Sequence, residues 1–175
     1  MQTLMNTKRE LTRMQYEVID NYLPQEQFQS IKDILMGSVF PWFYKPDVTS
    51  FKNEITDTMY FVHMFYHDHA PSSAFMGNIF PLIEKLNPKA LLRIKGNLYP
   101  NIGKRIKDLD HVDYEFEHKG AIFYINTNNG PTVLEDGTEI EAVENRILLF
   151  KPHKMHNSFH CTDQKVRVNI NINYF

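Results

Sequence analysis

Cysteine is almost missing from this chain: Cys161 is the only one in 175 residues. No disulfide can form within the chain, and a reducing compartment fits that usage. No apolar run reaches the length that crosses a bilayer, and the opening residues MQTLMNTKRELTR lack a signal peptide's apolar core. A soluble cytoplasmic protein with no membrane partner is expected. Strong charge of either sign is missing too. The formal net charge of -2 offers no basic field, so nucleic acid is disfavoured as a partner. There is no internal repeat and no low-complexity segment. What is present is enough apolar material, 42% of residues, to bury one real core.

Periodicity divides the chain into two styles. Residues 1–13 read as a loose polar start, and Tyr16 to Ile19 as a short strand. Pro24 to Met36 places Phe28, Ile31, Ile34 and Leu35 at helical spacing, with Gly37 as a stop. The aromatic stretch Phe40 to Tyr44 is expected to pack on the core or line a rim. Met59 to Tyr66 and Leu91 to Leu98 read as strands. Ser73 to Leu86 reads as a helix that Pro81 must kink or restart. After residue 110 short strand-like segments follow: 121–126, 132–135, 138–143, 146–150, 154–160 and 165–174. Asn128-Asn129-Gly130 reads as the end of the first, and Asp136-Gly137 as a hairpin turn. Short strands at this spacing predict an antiparallel sandwich or barrel, with the helices of the first half buttressing one face.

The last strand alternates. Val166, Val168, Ile170 and Ile172 fall on one face, and Arg167, Asn169, Asn171 and Asn173 on the other. Alternation alone predicts an apolar face on the core and a polar face in water. The sharper reading has the polar face line a barrel mouth that holds a charged ligand.

That sharper reading gains from His111-Val112-Asp113. With 8 histidines and 21 acidic residues, about one histidine is expected to have an acid two positions later by chance, so the pair needs context. The spacing places both heads on one side of a strand, within reach of one metal ion. A second histidine from a distant strand would complete the two-histidine, one-carboxylate face of a non-haem Fe(II) oxygenase, which leaves positions open for a keto acid and O2. His153, His156 and His160 are available. Arginine's planar fork suits the far carboxylate of such a keto acid, and Arg167 stands on the polar face. Tyr124 is a candidate to assist it, with an ordinary core aromatic as the plain alternative.

In this ordered set the chain resembles the 2-oxoglutarate/Fe(II) oxygenases, and within them the prolyl-4-hydroxylase-like group with its small phage-type members. His111-Val112-Asp113, the strand Ala121 to Asn126, the apolar Arg146 to Phe150, His156 and Arg167 carry the resemblance, over about residues 90–175. It implies a mainly β, cupin-like double-stranded β-helix (jelly roll) with N-terminal helices. It implies one domain over 1–175, with helical buttress and strands in 1–90 and the jelly-roll core in 91–175. His111, Asp113 and His156 would hold Fe(II), and His156 is preferred for its spacing to Arg167. Arg167 and Tyr124 would bind 2-oxoglutarate, with Tyr99 nearby and Asn126 and Asn169 as further contacts. The reaction implied is O2-dependent hydroxylation of a C–H bond, with succinate and carbon dioxide as co-products. A prolyl residue of a peptide or protein is the first substrate, and a small molecule the second.

Other polar residues carry plainer expectations. His67-Asp68-His69 reads as an exposed loop, His63 as a satisfied core or pocket histidine, and His118 as solvated in a turn. His160 reads as a pocket or supporting residue. Arg93, Lys95, Lys104, Arg105 and Lys107 read as a solvated face, or as a guide for an acidic or peptide substrate. Asn101 to Asp110 reads as a mobile loop over the site. Two rival classes stand: a non-catalytic jelly-roll binding or structural protein, and a cupin-like metalloprotein without a keto acid.

Overall fold

The computed structural model describes residues 16–46 and 59–175; the expected loose start over 1–13 lies outside them. The described residues are mostly β, in antiparallel sheets, with two short helices. Strands β1 (Tyr16–Ile19), β2 (Phe43–Lys45), β3 (Tyr60–His67), β4 (Ala70–Pro71), β5 (Leu91–Pro100), β6 (Lys119–Tyr124), β9 (Ile147–Phe150) and β11 (Val166–Tyr174) form the larger sheet. Its order is β1-β9-β6-β11-β5-β3-β2, with β4 paired to β3. Strands β10 (His156–Ser158), β7 (Asn128–Leu134) and β8 (Glu139–Ala142) form a smaller sheet in that order. The first ninety residues therefore supply strands to the same sheet as the last eighty-five.

Helix α1 (Gln25–Leu35) buries Phe28, Ile31 and Leu35, the 3-4 spacing read from sequence. The segment 73–86 is not one helix. A 3-10 turn covers Met76–Ile79, and Pro81 sits in the first turn of α2 (Phe80–Leu86), where its missing N–H costs nothing. Both helices pack on one face of the larger sheet. There Phe28, Ile31, Leu35, Ile79 and Leu82 meet Phe123, Ile147, Val168, Ile170 and Ile172 in a single core. Burying each aliphatic side chain of this kind contributes about 2 kcal/mol. Phe40 is buried in that core, whereas Phe43 and Tyr44 lie exposed on the edge strand β2.

The opposite face of the larger sheet meets the smaller sheet. Ile122, Tyr124, Leu148 and Phe150 pack against Ile140 and Ala142 there. This closes the sandwich and decides the fate of β11. Its apolar row enters the helical core, and its polar row is buried as well: Arg167 is 1% exposed and Asn173 0%. The expectation of a watered polar face is overturned, because the smaller sheet covers it.

Two local expectations also change. Asn128-Asn129-Gly130 does not form a turn but opens β7. The Asn128 amide bonds the Asn126 carbonyl and accepts from the Gly130 N–H, so a turn-like composition is satisfied in extended chain. Residues 101–110 are stitched down rather than loose. Asn101 N–H donates to the Lys165 carbonyl, Asp108 N–H to Ser158, and His160 N–H to Ile106. The Asp136-Gly137 hairpin forms as read, with Gly137 at φ 84° and Leu134 N–H bonded to the Thr138 carbonyl.

Candidate metal centre

His111 stands outside the named strands and meets His156 of β10 as an isolated antiparallel bridge. Each residue's N–H donates to the other's carbonyl at 2.9 Å, so the main chain sets their separation. Their rings lie 4.5 Å apart, centre to centre. Asp113 follows two residues later, with its N–H held by the Pro152 carbonyl. One donor atom from each of His111, Asp113 and His156 lies within 4.8 Å of the others, the only such group of three among the described residues.

The surrounding bonds prepare these heads for a metal. His111 Nδ1 faces the Leu109 carbonyl at 3.1 Å, and His156 Nδ1 the Lys154 carbonyl at 2.9 Å. A carbonyl partner keeps the proton on Nδ1 and leaves Nε2 free as a ligand. Burial, helped by the neighbouring His111, pushes the His156 pKa down and favours the neutral ring a metal needs. Burial alone would raise the Asp113 carboxyl, but Arg93, His156 and Lys95 outweigh it and hold the pKa at about 2. Arg93 bonds Oδ1 at 2.8 Å, and the Asn171 amide bonds Oδ2 at 3.1 Å. Two imidazoles with Nε2 free and one fixed carboxylate fit a divalent ion such as Fe(II).

The polar row of β11 backs this centre. Asn171 accepts from Asn173, whose Oδ1 meets Nε2 of His118 at 2.8 Å. His118 is 4% exposed, which corrects its expected place in solvent: Asn173 supplies the partner that burial demands. His63 is satisfied by the Pro41 carbonyl and Ser73 hydroxyl, as a core histidine. His67-Asp68-His69 is an exposed turn outside any described metal group.

Arg167 shares a cavity with the two histidines. Tyr99, Thr132, Asn169 and Asn171 also line it. Arg167 donates from Nε to the Gly130 carbonyl at 2.8 Å and from Nη2 to Thr132 Oγ1 at 3.0 Å. Its Nη1 has no bond among the described residues. The fork is thus locked on one side and open on the other. Tyr99 faces the guanidinium at 5.2 Å, and burial pushes its hydroxyl pKa up.

The remaining predicted contacts divide. Asn169 lines the cavity and accepts from the Asn97 amide. Tyr124 stands one step behind the wall, and its hydroxyl donates to Thr132 Oγ1 at 2.8 Å. Asn126 is elsewhere: its amide bonds the Val166 carbonyl and the Val168 N–H, continuing the ladder where β6 ends. His160 is outside the metal group. It is fully buried, with Nε2 3.3 Å from Asp108 Oδ1, a charge contact rather than an aligned hydrogen bond. Sequence reading missed Asp108, Thr132 and Gly130. Only Gly130 left a trace there, as a glycine among asparagines.

Gly130 has a specific reason to be glycine. A β-carbon there would lie 2.5 Å from the Phe159 carbonyl oxygen and 2.9 Å from Arg167 Cδ. Gly130→Ala should cost about 2 kcal/mol and tilt the guanidinium. Thermal unfolding checks it; an unchanged Tm would show that the strand yields freely.

The two-sheet jelly roll with this centre at its mouth has the fold of the 2-oxoglutarate-Fe(II) oxygenases. An oxidoreductase of that family from Burkholderia pseudomallei superposes at TM-score 0.70 with 10% identity, covering 95% of this chain and 87% of its own. A prolyl hydroxylase from Trichoplax adhaerens, solved with a hypoxia inducible factor peptide, gives 0.68 and 13%, covering 95% and 86%. The α-ketoglutarate-dependent epimerase SnoN of nogalamycin biosynthesis gives 0.61 and 11%, covering 94% and 77%. No family model and no curated protein matches by sequence.

Proposed function

We propose that this chain, as one domain over 1–175, is an Fe(II)- and 2-oxoglutarate-dependent oxygenase that hydroxylates a C–H bond. A prolyl side chain is the first substrate to test. The observation that carries this reading is one small cavity lined by both His111 and His156 and by a buried arginine with an open fork. His111, Asp113 and His156 would hold the metal. A ferrous ion held there supplies O2 activation, coupled to decarboxylation of 2-oxoglutarate to succinate and carbon dioxide.

The chain's own groups do the positioning. Arg167 takes the far carboxylate of the keto acid on its open side, and Thr132 with Tyr124 behind it holds the guanidinium steady. Arg93 and Asn171 hold the Asp113 carboxylate in one orientation.

The test is thermal unfolding with Mn(II) and 2-oxoglutarate, alone and together, beside succinate formation with Fe(II). The pair together should raise Tm by several degrees, as ligand binding to the native state requires, and slow succinate release should accompany Fe(II) even without substrate. Arg167→Ala should lose the co-substrate's share of the rise. No rise in wild type, or an equal rise in Arg167→Ala, returns the site to a cupin-like metal or binding protein.

A further inference from the structure

On β5 the residues Arg93, Lys95, Asn97 and Tyr99 alternate onto one face, opposite the polar row of β11; Lys95 pairs with Asn171, and Tyr99 with Arg167. Three of the four are accounted for. Arg93 holds Asp113, Asn97 bonds Asn169, and Tyr99 lines the cavity. Lys95 has no hydrogen bond or ion pair among the described residues. Its ammonium lies over the Tyr60 ring at 5.6 Å. Tyr60 stacks on Tyr99 at 5.4 Å with the rings 13° from parallel, and Tyr99 faces the Arg167 guanidinium. The two buried tyrosines therefore form a column with a cation at each end.

The two ends differ in what surrounds them. The Arg167 end opens into the cavity and suits the co-substrate. At the other end the one opposite charge acting on Lys95, Asp113, is already paired with Arg93, and Lys45 beside Tyr60 on the edge strand has the same sign. A divalent metal would offset a dianionic co-substrate and Arg93 offsets Asp113, so beyond Arg167 the charges of Lys95 and Lys45 remain as excess positive charge beside the reaction centre. Lys95 is half-buried, which makes an unpaired charge there costlier than at the surface. A lone cation in that setting is built to receive an anion.

The structure assigns Lys95, with Lys45 behind it, to a carboxylate carried by the primary substrate. The substrate class is then an acid whose carboxylate lies across the stacked tyrosines from the co-substrate. It is the α-carboxylate of a free amino acid or the acidic side chain of a peptide. This rests on the oxygenase reading above.

The experiment uses whole protein loaded with Mn(II) and 2-oxoglutarate, and three pools of compounds. They are free L-amino acids, N-acetyl dipeptide amides containing Asp or Glu, and the same compounds with every carboxyl amidated. The first or second pool should add a further rise in Tm, and which one responds names the source. The amidated pool should add none. Lys95→Gln should weaken the response by about ten-fold or more in concentration, the usual loss of one charge-assisted bond, while Lys95→Arg keeps most of it. With Fe(II), the responding compound should stimulate succinate release with the same dependence on residue 95. An equal response to the amidated pool, no response to any pool, or a wild-type response from Lys95→Gln overturns the assignment. If 2-oxoglutarate itself produces no rise, the oxygenase reading has failed, and the assignment falls with it by a visibly different result.

Discussion

The His111→Ala variant is expected to lose succinate formation altogether while keeping its fold. The imidazole is half-exposed and makes one side-chain hydrogen bond, to the Leu109 carbonyl. Losing such a bond costs about 1 kcal/mol. The reciprocal main-chain bonds to His156 do not involve the side chain and persist. The metal face, by contrast, falls from three ligands to two. Far-ultraviolet circular dichroism should be unchanged, the Tm close to wild type, and the Mn(II)-dependent rise gone. Retained turnover would mean that the ligand set is wrong.

The largest loss of stability is expected from Asp108→Ala. Asp108 and His160 have no exposed side-chain surface, and Ser158 donates to Asp108 Oδ2 at 2.7 Å. Removing one partner of a buried charge pair leaves the other unmatched, at a cost of about 3 kcal/mol or more. The pair also dictates a pH dependence. Burial lowers the His160 pKa, but the Asp108 contact more than reverses this and raises it above the usual 6.5. A histidine raised by folding stabilises most below its unfolded pKa, and the gain fades as pH climbs through the folded value. The Tm difference between wild type and Asp108→Asn should therefore be widest near about pH 5.5 and narrow toward about pH 9. A gap that widens with alkalinity would show that His160 is neutral in the native protein.

Much of this was open to a reader of the sequence, for identifiable reasons. The helical spacing of Phe28, Ile31 and Leu35 and the alternation of β11 are periodic signals that survive without tertiary knowledge. His111-Val112-Asp113 is compact enough to be seen. What stayed hidden depends on what covers what. The burial of Asn171, Asn173 and His118 requires the smaller sheet and the turn before β6 to close over β11. Residues 101–110 read as free because the groups that pin them, Ser158 to Lys165, lie some fifty residues further on. Asn126 misled because an amide replacing two ladder bonds has the same sequence signature as an amide facing a ligand. Lys95 looked like one of five basic residues near the site; only the register with Asn171 and the stacked tyrosines separate it from the exposed Lys104, Arg105 and Lys107.

Strand β11 enters the middle of the larger sheet, between β5 and β6, although it is the last of the eleven described strands in chain order. Neither β5 nor β6 can complete its pairing until residues 166–174 arrive, and the helical core waits for Val168, Ile170 and Ile172. Closing such distant loops before any contact rewards them makes for sluggish assembly, on the order of milliseconds to seconds. During synthesis the earlier strands must linger with open edges, so this protein should depend on chaperones more than its modest size suggests.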